Sequence, residues 1–245
     1  EKQMKKFNYF SITFFLIFLL NGCSFFKDDK KESKSSRTIF VQTVAKPDPS
    51  LKGIKVSLPK PVINNTWNQV TNNEAHRAIH PFTGNKIKLS WKISIGKGQN
   101  KKKPISSQPV IDEEKIYTID TTLTVIAINK NNGKKKWIKK LRKKVGEGKG
   151  TISGGLAVSD KILAVTAGTG DVFALNKDNG KIIWRNKITA PIRAAPIISG
   201  NFFLVLAKDN RLYTYDLVSG DLSWTHEGLE EISTFVGSSS PVVSK

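Results

Sequence analysis

The chain has 245 residues, 38% of them hydrophobic, and carries 40 Lys+Arg against 20 Asp+Glu, a formal charge of +20. That length supports one large domain or two small ones, and a single cysteine, Cys23, excludes an intramolecular disulfide and a cysteine-based zinc site. The cationic excess suits nucleic acid, an anionic membrane surface or an acidic protein. Lysine dominates over arginine, however, and no array of interleaved aromatics accompanies it, so the charge reads as a solvated surface and no nucleic-acid partner is expected.

In chain order, Met4-Lys5-Lys6 opens a short basic stretch, and an apolar run follows from Phe7 to Leu20. The run is about fourteen residues, short of the ~20 a spanning helix needs, and it predicts a helical signal peptide over residues 1–22. Leu20-Asn21-Gly22-Cys23 closes it. This resembles the lipobox of bacterial lipoproteins, with an aliphatic residue at −3, a small residue at −1 and then the cysteine that takes the lipid. Cys23 is therefore the expected lipidation site, and two or more acyl chains there would anchor stably. Ser24, next after the cysteine, resembles an outer-membrane address under the sorting rule of enteric bacteria. Residues 23–50, charged and serine-rich at first, are predicted to be a flexible tether.

Residues 51–245 are predicted to be an incomplete β-propeller, because a repeat runs through them. Val125 to Trp137, Val172 to Trp184 and Leu212 to Trp224 superpose, with a glycine four residues before each tryptophan: Gly133, Gly180 and Gly220. The steps between tryptophans are 47 and 40 residues, and Trp91 lies 46 before Trp137, at the end of an atypical earlier copy. One copy predicts a hairpin: alternating apolar residues, an Asn/Asp-rich turn with glycine at positive φ, and a strand whose indole packs on the neighbouring sheet. Upstream strand pairs are predicted at Gln108–Ile111 with Lys115–Ile119, Gly155–Val158 with Ile162–Val165, and Ala195–Ile198 with Phe202–Val205. Each copy thus holds four antiparallel strands, the blade of a propeller. Trp91, Trp137, Trp184 and Trp224 are expected to be structural wedges between blades rather than a ligand platform. Ser240-Pro241-Val242-Val243 repeats the opening of a blade, so about three to four blades are expected and the chain reads as an N-terminal fragment of a ring. Ile39–Val44 and Ile54–Leu58 are further strand candidates, suited to a closing outermost strand.

Two other features carry no chemistry by themselves. His76 and His80 have i,i+4 spacing, but the segment lacks helical periodicity and holds Pro81, so a loop pair without metal is expected. Lys134–Lys136, Lys139, Lys140 and Arg142–Lys144 form the densest basic run, followed by Gly146, Gly148 and Gly150. These glycines lack the strand–loop–helix setting of a phosphate loop and read as an inter-blade connection.

The strand, the Asn/Asp-Gly-Lys turn and the tryptophan resemble the PQQ-like propeller repeat. Together with the lipobox and Phe235-Val236-Gly237-Ser238-Ser239-Ser240-Pro241, they resemble the BamB family of outer-membrane assembly lipoproteins, whose propellers normally have eight blades. The resemblance implies an all-β, non-catalytic scaffold without cofactor or metal, lipid-anchored at the periplasmic face of the outer membrane. It implies docking on the POTRA domains of the central barrel-assembly protein and handling of unfolded outer-membrane protein clients. It also implies a partner loop over Leu229–Gly237, with Ser233, Phe235 and Val236 at the contact positions. Phe235 keeps an apolar anchor there, while Ser233 replaces an aliphatic residue and Val236 stands where an arginine is expected. The alternatives are a PQQ-dependent periplasmic dehydrogenase and another envelope binding module, such as one that takes anionic polymers with salt-sensitive affinity. A dehydrogenase of this repeat class needs an axial cofactor pocket, a calcium held by carboxylate and amide oxygens, and a catalytic aspartate. Here the carboxylates Asp112, Glu113, Glu114, Asp171, Asp178 and Asp216 scatter over turns and strand ends.

Overall fold

The computed structural model describes residues 48–55, 57–77, 79–96, 105–141, 154–229 and 239–244. The predicted signal peptide, Cys23, Ile39–Val44, the Arg142–Gly150 stretch and the positions Ser233, Phe235 and Val236 lie outside them. The chain divides into two units, Glu1–Ser57 and Leu58–Lys245. In the first, the described part is a single 3-10 turn at Pro49–Leu51, capped by Asp48, whose carboxylate accepts from the Ser50 amide at 2.9 Å. The strand expected at Ile54–Leu58 is not formed among the described residues. Gly53 sits at φ +94°, Ile54 closes a turn back onto Leu51, and Ile54 and Leu58 are both exposed.

The second unit builds three four-stranded antiparallel sheets, each a simple meander. The first holds β1 (Val110–Ile111), β2 (Lys115–Ile119), β3 (Thr124–Asn129) and β4 (Lys135–Lys140). The second holds β5 (Gly154–Val158), β6 (Ile162–Ala167), β7 (Asp171–Asn176) and β8 (Ile182–Lys187). The third holds β9 (Ile197–Ser199), β10 (Phe202–Leu206), β11 (Arg211–Asp216) and β12 (Leu222–Glu227). The sheets approach one another at their first strands, β1 against β5 and β5 against β9. Their last strands are largely exposed. This is the radial arrangement of propeller blades, with first strands at the hub and last strands at the rim.

Burial in the second sheet follows from that stacking. Every residue of β5 and β6 is buried, and β7 is buried except at its end. Leu163, Val165, Phe173 and Leu175 face the first sheet and, with Leu156 of β5, pack with its Tyr117 and Val125. Ile162, Ala164, Val172 and Ala174 face the third sheet and pack with Phe203, Val205 and Tyr215. The strands alternate in direction but not in polarity, because both faces are covered.

The hairpin between the third and fourth strands is the same in all three blades. Asn129, Asn176 and Asp216 each accept two backbone amides from the turn that follows, at 2.7–3.2 Å. Gly133, Gly180 and Gly220 then sit at φ +69°, +70° and +80°, a region open to glycine at no steric cost. A register shift follows in each ladder, at Ala127/Ile128, Ala174/Leu175 and Thr214/Tyr215.

These glycines also receive the tryptophans. A Cβ at Gly133, Gly180 or Gly220 would lie 2.8, 2.7 or 2.6 Å from the ring of Trp91, Trp137 or Trp184, respectively. Each indole N–H donates to the same turn, to the carbonyls of Lys130 (3.0 Å), Lys177 (2.9 Å) and Leu217 (3.0 Å). One residue type thus satisfies two demands, a left-handed backbone and a flat seat for an indole. Trp91 docks on the first blade as Trp137 docks on the second and Trp184 on the third, yet its flanking residues belong to no strand ladder among the described residues. Trp224 lies on β12 and is 45% exposed.

Candidate functional site

The residues that reach the hub come from a stretch with no repeat character, Thr66-Trp67-Asn68-Gln69-Val70-Thr71-Asn72-Asn73-Glu74. It crosses the first strands of the three blades in turn. Trp67 exchanges both backbone bonds with Ile111 of β1, at 2.7 and 2.9 Å. The Asn68 carbonyl accepts from Val158 of β5 at 2.8 Å. At β9 the side chain takes over: the Gln69 amide donates to the Ile198 carbonyl at 3.0 Å, and its oxygen accepts from the Ile198 amide at 2.8 Å. Farther on, the Glu74 carbonyl accepts from Val243 at 2.9 Å. A glutamine suits the third contact because its amide offers one donor and one acceptor at peptide-like spacing, which an exposed strand edge matches. The segment then turns sharply, with Thr71 at φ +59° and Asn72 at +80°. Asparagine tolerates that region, whereas a β-branched threonine there costs about 1–3 kcal/mol, which the bonds on either side offset.

Beside a cavity of about 370 Å³ at Thr66 and Asn68, lined by Asp112, Glu113, Glu114, Asp160 and Asp178 among others, two more flank this segment. One of about 380 Å³ is lined by Asn68, Gln69, Asn73, Glu74, Asp160 and Ile198 among others. The other, about 330 Å³, is lined by Thr71, His76, Ser107, Gln108, Arg193 and Ser240 among others, with no carboxylate in its lining. His76 turns its Nε2 into a buried position without a hydrogen-bond partner among the described residues, and His80 Nδ1 lies 2.8 Å from the Pro59 carbonyl. Among the described residues no three His, Cys, Asp or Glu side chains are grouped to hold a metal.

Most of the scattered carboxylates are engaged in structure. Asp112 sits where the first blade meets the second. Its carboxylate accepts from the amides of Glu114 (2.8 Å) and Lys115 (2.6 Å) and from the Tyr117 hydroxyl (2.8 Å), and it pairs with Lys177 at 3.3 Å. Lys115, itself buried, reaches across to Asp178 at 2.8 Å. Asp171 holds Arg185 at 2.7 Å, Lys187 at 3.3 Å and the Thr169 hydroxyl at 2.6 Å.

Burial works against ionisation of Asp112, but the Tyr117 hydroxyl, the two amides and Lys177 outweigh it and hold the carboxyl below its ordinary value of 3.8. Asp171 is held low in the same way, burial again being outweighed by Thr169, Arg185 and Lys187. A carboxyl depressed by folding contributes stability that is present above its unfolded pKa and lost as pH falls through the folded one. Unfolding free energy is therefore expected to fall as the pH drops below about 4, read by urea titration at a series of pH values. Asp112→Asn is expected to cost about 1–3 kcal/mol at pH 7 and to flatten that acid limb. An unchanged limb would mean that Asp112 is not one of its sources.

Of the residues singled out from sequence, the structure docks Trp91, Trp137 and Trp184 on turn glycines and leaves Trp224 half-exposed at the rim. The hub segment has no counterpart among the sequence expectations. The available signal was weak: Trp67 falls outside the tryptophan spacing and heads a run rich in Asn and Gln.

Four-stranded meanders set radially, with an Asx-capped turn, a left-handed glycine and a docked indole in each, define a β-propeller of the PQQ-like repeat class. The family model described as "Outer membrane protein assembly factor BamB" matches residues 121–245, and the chain belongs to that family. Among solved structures, BamB from Moraxella catarrhalis is similar at 18% identity and a TM-score of 0.43, over 53% of this chain and 38% of its own. The quinohemoprotein alcohol dehydrogenase of Comamonas testosteroni gives 17% identity and a TM-score of 0.55, over 66% of this chain and 27% of its own. A europium-containing methanol dehydrogenase gives 18% and 0.52, over 66% and 32%. The chain therefore spans well under half the length of these structures, and at such identities the likeness to the two dehydrogenases is one of fold. No curated protein matches the sequence.

Proposed function

We propose that this protein is a non-catalytic scaffold lipoprotein of the outer-membrane β-barrel assembly machinery. In this reading residues 1–22 are the signal peptide, Cys23 carries the lipid, residues 23–50 are the tether and residues 51–245 belong to the propeller, on the periplasmic face of the outer membrane. Its partners are the POTRA region of the central barrel protein, met through the Leu229–Gly237 loop with Ser233, Phe235 and Val236, and unfolded outer-membrane proteins. Family membership supports the setting.

The observation that carries the non-catalytic part is the crossing of the hub by Trp67–Glu74. A quinone with its calcium would need carboxylate and amide oxygens converging on an axial space. Here a peptide segment bonds the first strands of all three described blades, and the more open cavity beside it is lined by Asn68, Gln69, Asn72, Asn73, Glu74 and Asp160 among others. Among the described residues no three acidic, His or Cys side chains are grouped to hold the calcium, and no catalytic step is derived through the cofactor.

The test is affinity capture of the full-length lipoprotein from detergent-solubilised membranes. Recovery of the barrel-assembly protein is expected, with Phe235→Ala lowering the yield about tenfold, as for a modest hot spot. Capture without the barrel protein, or a preparation carrying quinone absorbance and dye-linked alcohol oxidation, would overturn the reading.

A further inference from the structure

Positive charge is not shared evenly among the rim strands. β4 reads Lys135-Lys136-Trp137-Ile138-Lys139-Lys140, β8 carries Arg185 and Lys187, and β12 has neither lysine nor arginine. On β8 both cations are matched by Asp171. On β4, and at Lys134 before it, no lysine lies within ion-pair distance of a carboxylate among the described residues.

Docking of Trp91 adds to this. Its indole sits on Gly133 and donates to Lys130, in the turn that leads into β4. That contact seats Trp91 at the turn before β4, and Lys86-Ile87-Lys88-Leu89 and Lys92 flank it in sequence, so a second lysine-rich stretch leads to the same turn. Lys88, Lys92, Lys135, Lys136 and Lys140 are all exposed. Bare aliphatic side chains are interleaved with them: Ile87 is 95% exposed, Leu89 83% and Ile138 54%.

The combination is selective. Lysines alternating with uncovered aliphatics suit the boundary of an acidic bilayer, where methyl groups enter the headgroup layer and ammonium groups reach phosphates. A nucleic acid would call for arginine and for rings free to stack, whereas Trp91 and Trp137 are both seated on glycines. We propose that the rim formed by β4 and the docked Lys86–Lys92 segment is a contact site for an anionic phospholipid surface, which holds this edge of the propeller against the bilayer. The proposal rests on the lipoprotein reading for proximity to a membrane, but its chemistry stands apart from the anchor.

The test therefore uses full-length mature protein with Cys23→Ser, which has no lipid, in sedimentation with vesicles of phosphatidylethanolamine and phosphatidylglycerol. Binding is expected to these vesicles and not to phosphatidylcholine, and to weaken with salt. A lysine beside an acidic membrane contributes roughly fivefold in affinity, so K135E/K136E/K140E is expected to weaken binding at least about 30-fold. The variant K161E/K181E/K208E makes the same change in net charge at exposed lysines of the second and third blades and is expected to stay within about threefold of wild type. Thermal melting checks that each variant folds, and K135Q/K136Q/K140Q repeats the test with a milder change. Equal losses in the two triple variants, absence of binding to acidic vesicles, or a rim variant that loses oligonucleotide binding while keeping vesicles would each overturn the proposal. The mass of the wild-type N-terminus reports lipidation separately, so failure of the anchor reading leaves the vesicle result interpretable.

Discussion

Trp184→Ala is expected to destabilise the protein by about 3–4 kcal/mol, near the range for aromatic deletions in packed sites. Trp184 closes the seam between the second and third blades. Its ring lies 5.2 Å from Phe203 and 6.0 Å from Tyr215, over Gly220, and its N–H satisfies the Leu217 carbonyl. Deletion removes the ring contacts, leaves that carbonyl to water and opens a gap beside Phe203, which is fully buried. Trp184→Phe keeps a ring without the donor and is expected to cost only about 1–2 kcal/mol. Urea denaturation separates the two. A spectroscopic readout localises the effect. Burial, with Tyr213 adding to it, pushes the Tyr215 phenol up to about 12, so in Trp184→Ala this phenol is expected to titrate nearer 10 by ultraviolet absorbance. Destabilisation without that shift would mean that the tryptophan acts elsewhere than at this seam.

The blades were legible because their determinants are local. An Asn or Asp, a left-handed glycine and a tryptophan four residues later specify turn, bulge and wedge within nine residues of chain, as in Asn176 to Trp184. Burial was less legible. Alternating polarity was expected along the strands, but β6 reads Ile-Leu-Ala-Val-Thr-Ala and is covered on both faces, so its two faces differ in size and partner rather than in polarity. Strand ends shifted for a simple reason: Pro109 has no N–H to give, and β1 starts at Val110. Ile54–Leu58 has strand-like composition but no described partner, and strand propensity without a ladder decides nothing. The hub segment left no periodic signature because its contacts are made mostly by backbone atoms, which any sequence supplies. Only Gln69 contributes a side chain whose type matters.

That side chain offers the sharpest test of the hub. Gln69 is 8% exposed and bonds both main-chain groups of Ile198, itself buried. Gln69→Leu keeps approximate volume but leaves a buried donor and a buried acceptor without partners. At about 1–3 kcal/mol for each of the two orphaned groups, the expected cost is about 2–6 kcal/mol, comparable with loss of a tryptophan wedge. Gln69→Glu discriminates mechanism from packing. Ionised, its carboxylate still accepts from the Ile198 amide but faces the Ile198 carbonyl with no proton to donate. Protonated, it regains the donor. Folding then favours the protonated form, so the carboxyl's folded pKa rises above its unfolded value, and the deficit of the variant shrinks as pH falls toward 4. Wild type has no such group and is expected to stay near level over this range, since Asp112 and Asp171, held below their ordinary values, lose their contribution only below about 4. A variant that gains stability against a near-level wild type between pH 7 and 4 would establish that Gln69 binds the edge of β9 through both of its polar atoms. Parallel slopes would place its side chain outside the hub and remove the strongest support for a propeller axis closed by its own chain.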